Sequence, residues 1–312
     1  MKRRVLALLM AAAMTVGMMG CGAVAIDGEG GSKETSSSES TGSGSVGLAI
    51  STLNNPFFVK LSEGAQAAAD EAGVKLITVD AGDDAAKQTS DVEDLISKNV
   101  SVLIVNPVDS DAIAPAVKDA VAKGLKVISV DRVVNGVDVD CQIASDNVAG
   151  AEMATEYLAE LVGEGAKVAE LQGVPGASAT IDRGEGFHNV ADEKLDVVLS
   201  QTANFNRAEG MTVMENILQS ASDVKGVFAH NDEMALGALE AVSGKDIQIV
   251  GFDATDDAVA AVKDGKMAAT VAQQPDKMGE TAVNTAISLI NGESVEKSIP
   301  VEVTLITKEN AE

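Results

Sequence analysis

The 312-residue sequence lacks tryptophan and is poor in aromatic residues of any kind, which make up 2% of the chain. Because aromatic rings are so scarce, the two adjacent phenylalanines Phe57 and Phe58 are candidates for a specific role beyond packing in the hydrophobic core. They follow the apolar run 46–50 and lie next to Pro56, which ends a strand and begins a helix well. We therefore interpret residues 51–58 as a loop that presents side chains, with the alternative that both rings belong to the core.

Cysteine and histidine are also rare. The two cysteines are Cys21 and Cys141, and the two histidines are His188 and His230. Only Cys141 lies in the region that we expect to fold, which excludes an intramolecular disulfide there, and we interpret it as a sheltered free thiol. Neither histidine has the spacing of a zinc site, so we expect them at the surface or behind the site. No metal and no cofactor is predicted.

Basic residues are outnumbered, 23 against 48 acidic ones, and the net charge of −25 excludes a nucleic-acid-binding surface. Several enzyme motifs are missing as well. The stretch Gly173-Val174-Pro175-Gly176 fits no nucleotide-binding loop, and no Gly-x-Ser-x-Gly motif occurs in the predicted folded region. These absences argue against an exported hydrolase or dehydrogenase, so the sequence predicts a protein that is not an enzyme.

The N-terminus carries Lys2, Arg3 and Arg4, followed by an apolar run and Gly20-Cys21. This pattern predicts a signal peptide over residues 1–20, which is too short for a membrane span. Cys21 after a small residue resembles the bacterial lipoprotein signal, and we expect its lipidation, with a plain cleaved secretory peptide as the alternative. Residues 21–44 are too polar to fold and predict a flexible tether.

In the rest of the chain, continuous apolar runs alternate with helix-length segments, a pattern typical of parallel strands buried on both faces. It predicts an α/β fold with two doubly wound parallel-sheet lobes. The predicted strands are 46–50, 74–79, 100–105, 125–130, 166–171, 196–199, 224–228 and 247–250. The predicted helices include 85–97, 111–123, 147–162, 186–193, 208–219 and 233–242.

The two halves repeat one arrangement of polar residues. One strand ends in Asn106 and the next in Asp131, and the second half repeats this with Asn231 and Asp253. Each could cap the helix that follows. Because ligands of open α/β sheets bind at the carboxyl ends of the strands, we favour a binding role for the two aspartates and leave both roles open for the two asparagines.

The remaining candidates suit a neutral sugar, which has apolar faces and a rim of hydroxyl groups. Phenyl rings would cover the faces, aspartates would accept hydrogen bonds, arginines would donate them, and amides would do either. We expect Arg183 in a glycine-rich loop after a strand. The full set is Phe57, Phe58, Phe205, Asp131, Asp253, Arg132, Arg183, Asn55, Asn106, Asn231 and Gln273.

Eight motifs together resemble those of the bacterial ribose-binding proteins of the type I periplasmic-binding family. The resemblance runs from about residue 45 to the C-terminus and is carried by residues 51–58, 106–111, 131–132, 143–147, 183–187, 231–237, 251–253 and 272–275. It implies lobes of residues 45–145 plus 274–302 and 146–273 plus 303–312, joined by a three-segment hinge. It also implies that Asn106 and Ser145 line the cleft less directly than the other residues.

The resemblance further implies an exported monomer that binds D-ribose or a close pentose and delivers it to an ABC permease, with a chemoreceptor as a further candidate partner. The protein would lie on the outer face of the cell membrane, or in the periplasm of a double-membraned cell. Ile181 and His230 depart from the family pattern. A sugar-responsive repressor with the same core would need a DNA-binding helix-turn-helix at the N-terminus, where this sequence has the predicted export signal and tether instead. We therefore do not favour a repressor. A receptor for another small sugar or a furanose-like signalling molecule stays open.

Overall fold

The computed structural model describes residues 44–311. The predicted signal peptide, the lipidation of Cys21 and the predicted tether up to residue 43 lie outside this range. Within the described range, no helix combines the length and the apolar character that crossing a membrane requires.

The first stretch of the chain alternates strands and helices and forms most of one lobe. Its elements are β1 (Ser45–Ile50), α1 (Pro56–Ala72), β2 (Lys75–Asp80), α2 (Ala85–Ser97), β3 (Val102–Val105), α3 (Ala114–Ala122), β4 (Lys126–Val130) and β5 (Cys141–Ser145).

The second stretch repeats the alternation and forms most of the other lobe. Its elements are α4 (Asn147–Val162), β6 (Lys167–Gln172), α5 (Ser178–Lys194), β7 (Asp196–Thr202), α6 (Arg207–Ser220), β8 (Gly226–Ala229), α7 (Asp232–Ala241), β9 (Gln248–Asp253), α8 (Asp256–Lys263) and β10 (Ala269–Ala272). The chain then returns to the first lobe with α9 (Pro275–Ile290) and β11 (Ser298–Val301), and ends in the second with β12 (Thr304–Thr307).

Each lobe is built on a six-stranded sheet. The first has the order β11-β5-β4-β3-β1-β2 and is parallel throughout, and the second has the order β12-β10-β9-β8-β6-β7 with only β12 antiparallel among the described strands. The strand order reverses between β1 and β3 and again between β6 and β8. Such switch points are where open α/β sheets bind ligands, at the carboxyl ends of the strands. The predicted fold class is confirmed.

Helix α1 shows how the local sequence sets these elements. Pro56 occupies its first turn, the Asn55 side chain accepts a hydrogen bond from the Phe57 N–H at 2.9 Å, and Gly73 ends it in the left-handed region at φ 67°. Its buried face packs against α9 and the first sheet. The helix therefore begins inside the stretch that we expected to be a loop, and the two phenylalanines lie in its first turn.

One expectation about local structure is wrong. Arg183 does not lie in a loop, because α5 begins at Ser178, eight residues before the predicted start. One of the glycines that suggested a loop, Gly186, serves packing instead. A Cβ on Gly186 would lie 2.3 Å from the Val148 backbone oxygen, so this glycine allows α5 to approach α4 closely.

Candidate functional site

A small cavity lies between the two lobes, at the carboxyl ends of their strands. The lobes lie close together around it, so the space between its walls is small. Ten of the twelve predicted site residues line it, together with Ala179. The lining residues are Asn55, Phe57, Phe58, Asp131, Arg132, Ala179, Arg183, Phe205, Asn231, Asp253 and Gln273.

Phe57 and Phe58 both line the cavity and belong to the core of the first lobe. Each is about 3% exposed, and the two rings meet edge to face with their centres 5.1 Å apart. The sequence posed core and binding as alternatives, and the structure combines them. A ring fixed by core packing offers its remaining face without losing much side-chain entropy on binding.

Asp131 follows β4 and is held from behind by Asn106. The Asn106 side-chain amide donates to Asp131 Oδ2 at 3.1 Å and to the Val130 carbonyl at 3.2 Å, while its oxygen accepts from the Ser51 N–H. Asn106 is fully buried and does not line the cavity. It therefore positions the Asp131 carboxylate. Asp131 itself has a φ of 64°, a conformation that is costly for a residue other than glycine and common at functional sites.

Asp253 ends β9 and mirrors Asp131 from the second lobe. Its φ is also positive, at 121°. Gln273 donates to its Oδ1 at 2.8 Å, and Arg183 Nη1 lies 3.7 Å from the same oxygen. Arg183 is oriented by two further bonds, from Nε to Asn147 Oδ1 at 2.9 Å and from Nη1 to the His230 carbonyl at 2.6 Å.

Arg132 brings the two lobes together at the cavity. Its Nη1 donates to the Pro107 carbonyl at 2.8 Å, and its Nε lies 3.6 Å from Asp131 Oδ2. The guanidinium carbon is 5.0 Å from the centre of the Phe58 ring and 5.2 Å from that of Phe205. These distances are typical of cation–π contacts.

The remaining predicted residues have local structural roles as well. Asn55 and Asn231 cap α1 and α7, and the Asn231 amide also donates to the Phe205 carbonyl at 3.3 Å. Both still line the cavity, so capping and lining coincide. Ser145, at the end of β5, is buried and does not line it.

The charges of the cavity cancel. Burial raises the pKa of Asp131 and of Asp253 and lowers the pKa of Arg132 and of Arg183, while each group's neighbours of opposite charge act against the shift. Two acidic side chains thus face two guanidinium groups, and their formal charges cancel. Among the described residues, Asp131 Oδ1, Arg132 Nε and Gln273 Oε1 have no hydrogen-bonding partner. The site can therefore both donate to and accept from a neutral polar ligand.

Contacts outside the cavity also join the lobes. The Ser110 N–H donates to the Gly176 carbonyl at 2.9 Å, the Ser178 N–H donates to Ser110 Oγ at 3.2 Å, and the Val133 N–H donates to Ser178 Oγ at 3.1 Å. An exposed ion pair joins Lys60 to Asp256 at 2.8 Å. The structure is therefore that of two lobes in contact around the cavity.

A model of a family described as a periplasmic binding protein domain matches residues 46–294. The chain belongs to this periplasmic binding protein family. It is similar to the ribose import binding protein RbsB of Bacillus subtilis (strain 168), with 54% identity over 265 residues that cover 84% of this chain and 87% of that protein. RbsB of Haemophilus influenzae is 48% identical over 275 residues, covering 87% and 94%.

Solved structures of the family show the same architecture. An ABC transporter solute binding protein from Bacillus halodurans, with bound myo-inositol, aligns with a TM-score of 0.83 and 34% identity, over 88% of this chain and 97% of that one. The expected resemblance to the periplasmic binding proteins is confirmed.

Three contributors to the site were not predicted from the sequence. Ala179 lines the cavity, and Asn147 and the Pro107 carbonyl hold the two arginines. Asn147 and Pro107 lie within two of the motifs that carry the family resemblance, each two residues after a strand end, and that position was the available signal. Ala179 has no polar group and gave no signal.

Proposed function

We propose that this protein binds D-ribose, or a close pentose, between its two lobes and delivers it to an ABC permease. The observation that supports the proposal is the cavity of three phenyl rings, two acidic side chains and two guanidinium groups, with formal charges that cancel and with both lobes contributing. The names of the two relatives described above agree with this ligand class.

Binding would couple to closure of the lobes. A sugar that contacts Asp131 and Arg132 from the first lobe and Asp253 and Arg183 from the second stabilises only the closed arrangement, in which all four are within reach. The permease would recognise that closed form. No covalent step is needed, and we propose that the protein is not an enzyme.

The organisation of the chain follows from this function. We propose that residues 45–145 plus 274–302 and residues 146–273 plus 303–312 move as the two lobes, with the three chain crossings near residues 146, 274 and 303 as the hinge. We further propose export as a monomer, anchored through lipidated Cys21 outside the cell membrane, with a chemoreceptor as a second partner.

A panel of sugars tests the proposal. Thermal unfolding of the full chain, followed by circular dichroism because the chain has no tryptophan, is measured with D-ribose, L-ribose, D-allose, D-apiose and myo-inositol. At about one hundred times its dissociation constant, a ligand stabilises the folded state by roughly 2.7 kcal/mol. We expect D-ribose to raise the transition temperature most and its enantiomer L-ribose least. If another sugar raises it more, the ligand is that sugar, and if none raises it, the proposed function is wrong.

A further inference from the structure

We propose that Glu170 and His230 form a buried positioning pair that holds the ligand-binding face of the second lobe in place. Glu170 lies on β6, and His230 follows the neighbouring strand β8. Both are completely buried, and His230 Nε2 lies 2.8 Å from Glu170 Oε1. Neither side chain lines the cavity. The inference rests on the proposed function, because it concerns the same site.

The pair reaches Arg183 through the backbone of His230. The His230 carbonyl accepts the hydrogen bond from Arg183 Nη1 at 2.6 Å, one of two bonds that orient this guanidinium group. Anchoring the imidazole on Glu170 fixes the position of that carbonyl. Asn231, which lines the cavity and caps α7, is the next residue along the chain.

The imidazole also reaches Phe205, through Gly173. The Gly173 N–H donates to His230 Nδ1 at 3.4 Å. The Phe205 ring lies directly over Gly173, because a Cβ on that glycine would be 2.0 Å from Phe205 Cζ. From its buried position, His230 thus supports three residues that line the cavity: Arg183, Phe205 and Asn231.

This geometry requires one protonation state of His230. Since the Gly173 N–H points at Nδ1, that nitrogen carries no proton, and the proton on Nε2 is donated to the Glu170 carboxylate. Burial lowers the pKa of His230, which favours the neutral ring. Burial is the largest single influence and acts to raise the pKa of Glu170, but the hydrogen bond from His230 and the smaller effects of other neighbours together outweigh it, and the pKa lies below its ordinary value.

Other polar groups also lie close to the pair. His188 on α5 places its Nε2 3.5 Å from Glu170 Oε2, and the Gln172 side chain donates to the same oxygen at 2.9 Å. Arg183 and His188 both disfavour a charged His230. His188 is 40% exposed and pairs with Asp192, and it contacts neither Gly173 nor Arg183. His188→Ala therefore removes a neighbour of the Glu170 carboxylate while leaving the bonds to Gly173 and Arg183 in place.

The test compares four full-length variants for D-ribose affinity by calorimetry and for unfolding temperature without sugar. In Glu170→Met/His230→Leu, both partners become apolar, which avoids an unpaired buried carboxylate. We expect it to remain folded and to bind at least tenfold more weakly. His230→Gln keeps a donor for Glu170 and an acceptor for Gly173, and we expect affinity within about threefold of wild type. The D-ribose affinity of Glu170→Gln should fall between those of the double variant and His230→Gln. The affinity of His188→Ala should equal that of wild type.

Nitrogen-15 NMR provides signals that would not change if the pair only stabilised the fold. We expect His230 to keep its proton on Nε2 from pH 5.5 to 8, and the Arg183 Nε–H signal to shift in the double variant but not in His188→Ala. A folded double variant that binds D-ribose within twofold of wild type, or a His230 ring protonated at Nδ1, overturns the proposal. If wild type binds no D-ribose, the proposed function is wrong. The NMR signals of His230 and Arg183 still test whether the pair positions Arg183.

Discussion

The guanidinium carbon of Arg132 lies 5.2 Å from the centre of the Phe205 ring, so a cation of the first lobe rests on an aromatic face of the second. Replacing the ring by an aliphatic side chain removes this contact and one apolar wall of the cavity. A cation–π contact is worth about 0.5–2 kcal/mol. We therefore expect Phe205→Leu to weaken sugar binding about tenfold, measured by calorimetry.

Phe187→Leu is the control for this change. Phe187 is fully buried in the second lobe and stacks on Phe228, away from the cavity. We expect it to lower the free energy of unfolding and to leave affinity nearly unchanged. If both variants weaken binding equally, Phe205 has no specific role in the site.

Asn106 is expected to matter for binding although it lies behind the cavity. Its removal leaves Asp131 without the hydrogen bond that orients it, and a bond to a charged group is worth about 1.5–3 kcal/mol. Asn106→Leu should weaken sugar binding roughly 10–150-fold. Ser129→Ala, at another buried polar residue of the same lobe, should leave affinity unchanged. An Asn106→Leu protein that is folded and binds normally would contradict the assignment.

Closure can be tested at Gly176, which does not line the cavity. A Cβ at this position would lie 1.9 Å from Asp109 Oδ2 on the opposite lobe. Gly176→Ala should therefore oppose the closed arrangement and weaken binding of every sugar by the same factor. Because the clash is with the Asp109 carboxylate, Gly176→Ala/Asp109→Ala should bind more tightly than Gly176→Ala alone. Equal affinities of these two variants would show that the clash does not control closure.

The pH dependence of stability is predicted at Asp232, a buried residue that accepts hydrogen bonds from Thr255 and Thr270. Burial raises its pKa from 3.8 to about 7. Since the folded state holds a proton that the unfolded state has lost, this stabilisation is complete below about pH 4. It disappears as the pH rises through about 7.

Urea unfolding of wild type and Asp232→Asn at pH 5 and pH 8 measures this effect. The stability of wild type relative to the variant should fall between the two pH values, by a few kcal/mol at most. A difference that stays constant, or that rises with pH, would show that Asp232 is ionised throughout.

The sequence predicted eight of the twelve described strands, β1–β4 and β6–β9, and most of the helices up to α7, because long apolar runs and cap residues are local signals. The bounds of α2 and α4 are as predicted, and strand-end residues such as Asp131 and Asp253 line the cavity as the sheet topology requires. The elements β5, β10, β11, β12, α8 and α9 were not given bounds from the sequence, and the short strands among them carry little periodicity.

Tertiary packing decided the points that the sequence could not. Gly186 indicated a loop by composition, but it is a contact point between two helices. Asn106 carried the same local signal as Asn231. The family resemblance implied a less direct role for Asn106, and in the structure it lies behind the cavity whereas Asn231 lines it. The pairing of Glu170 with His230 joins residues sixty positions apart, which no local pattern reveals.

A crystal structure of the protein grown with saturating D-ribose tests the central claim most directly. We predict one sugar between the lobes, with its faces against Phe57, Phe58 and Phe205 and its hydroxyl groups bonded to Asp131 and Asp253. A sugar bound elsewhere, or an interlobe cavity without sugar at saturation, would contradict the account.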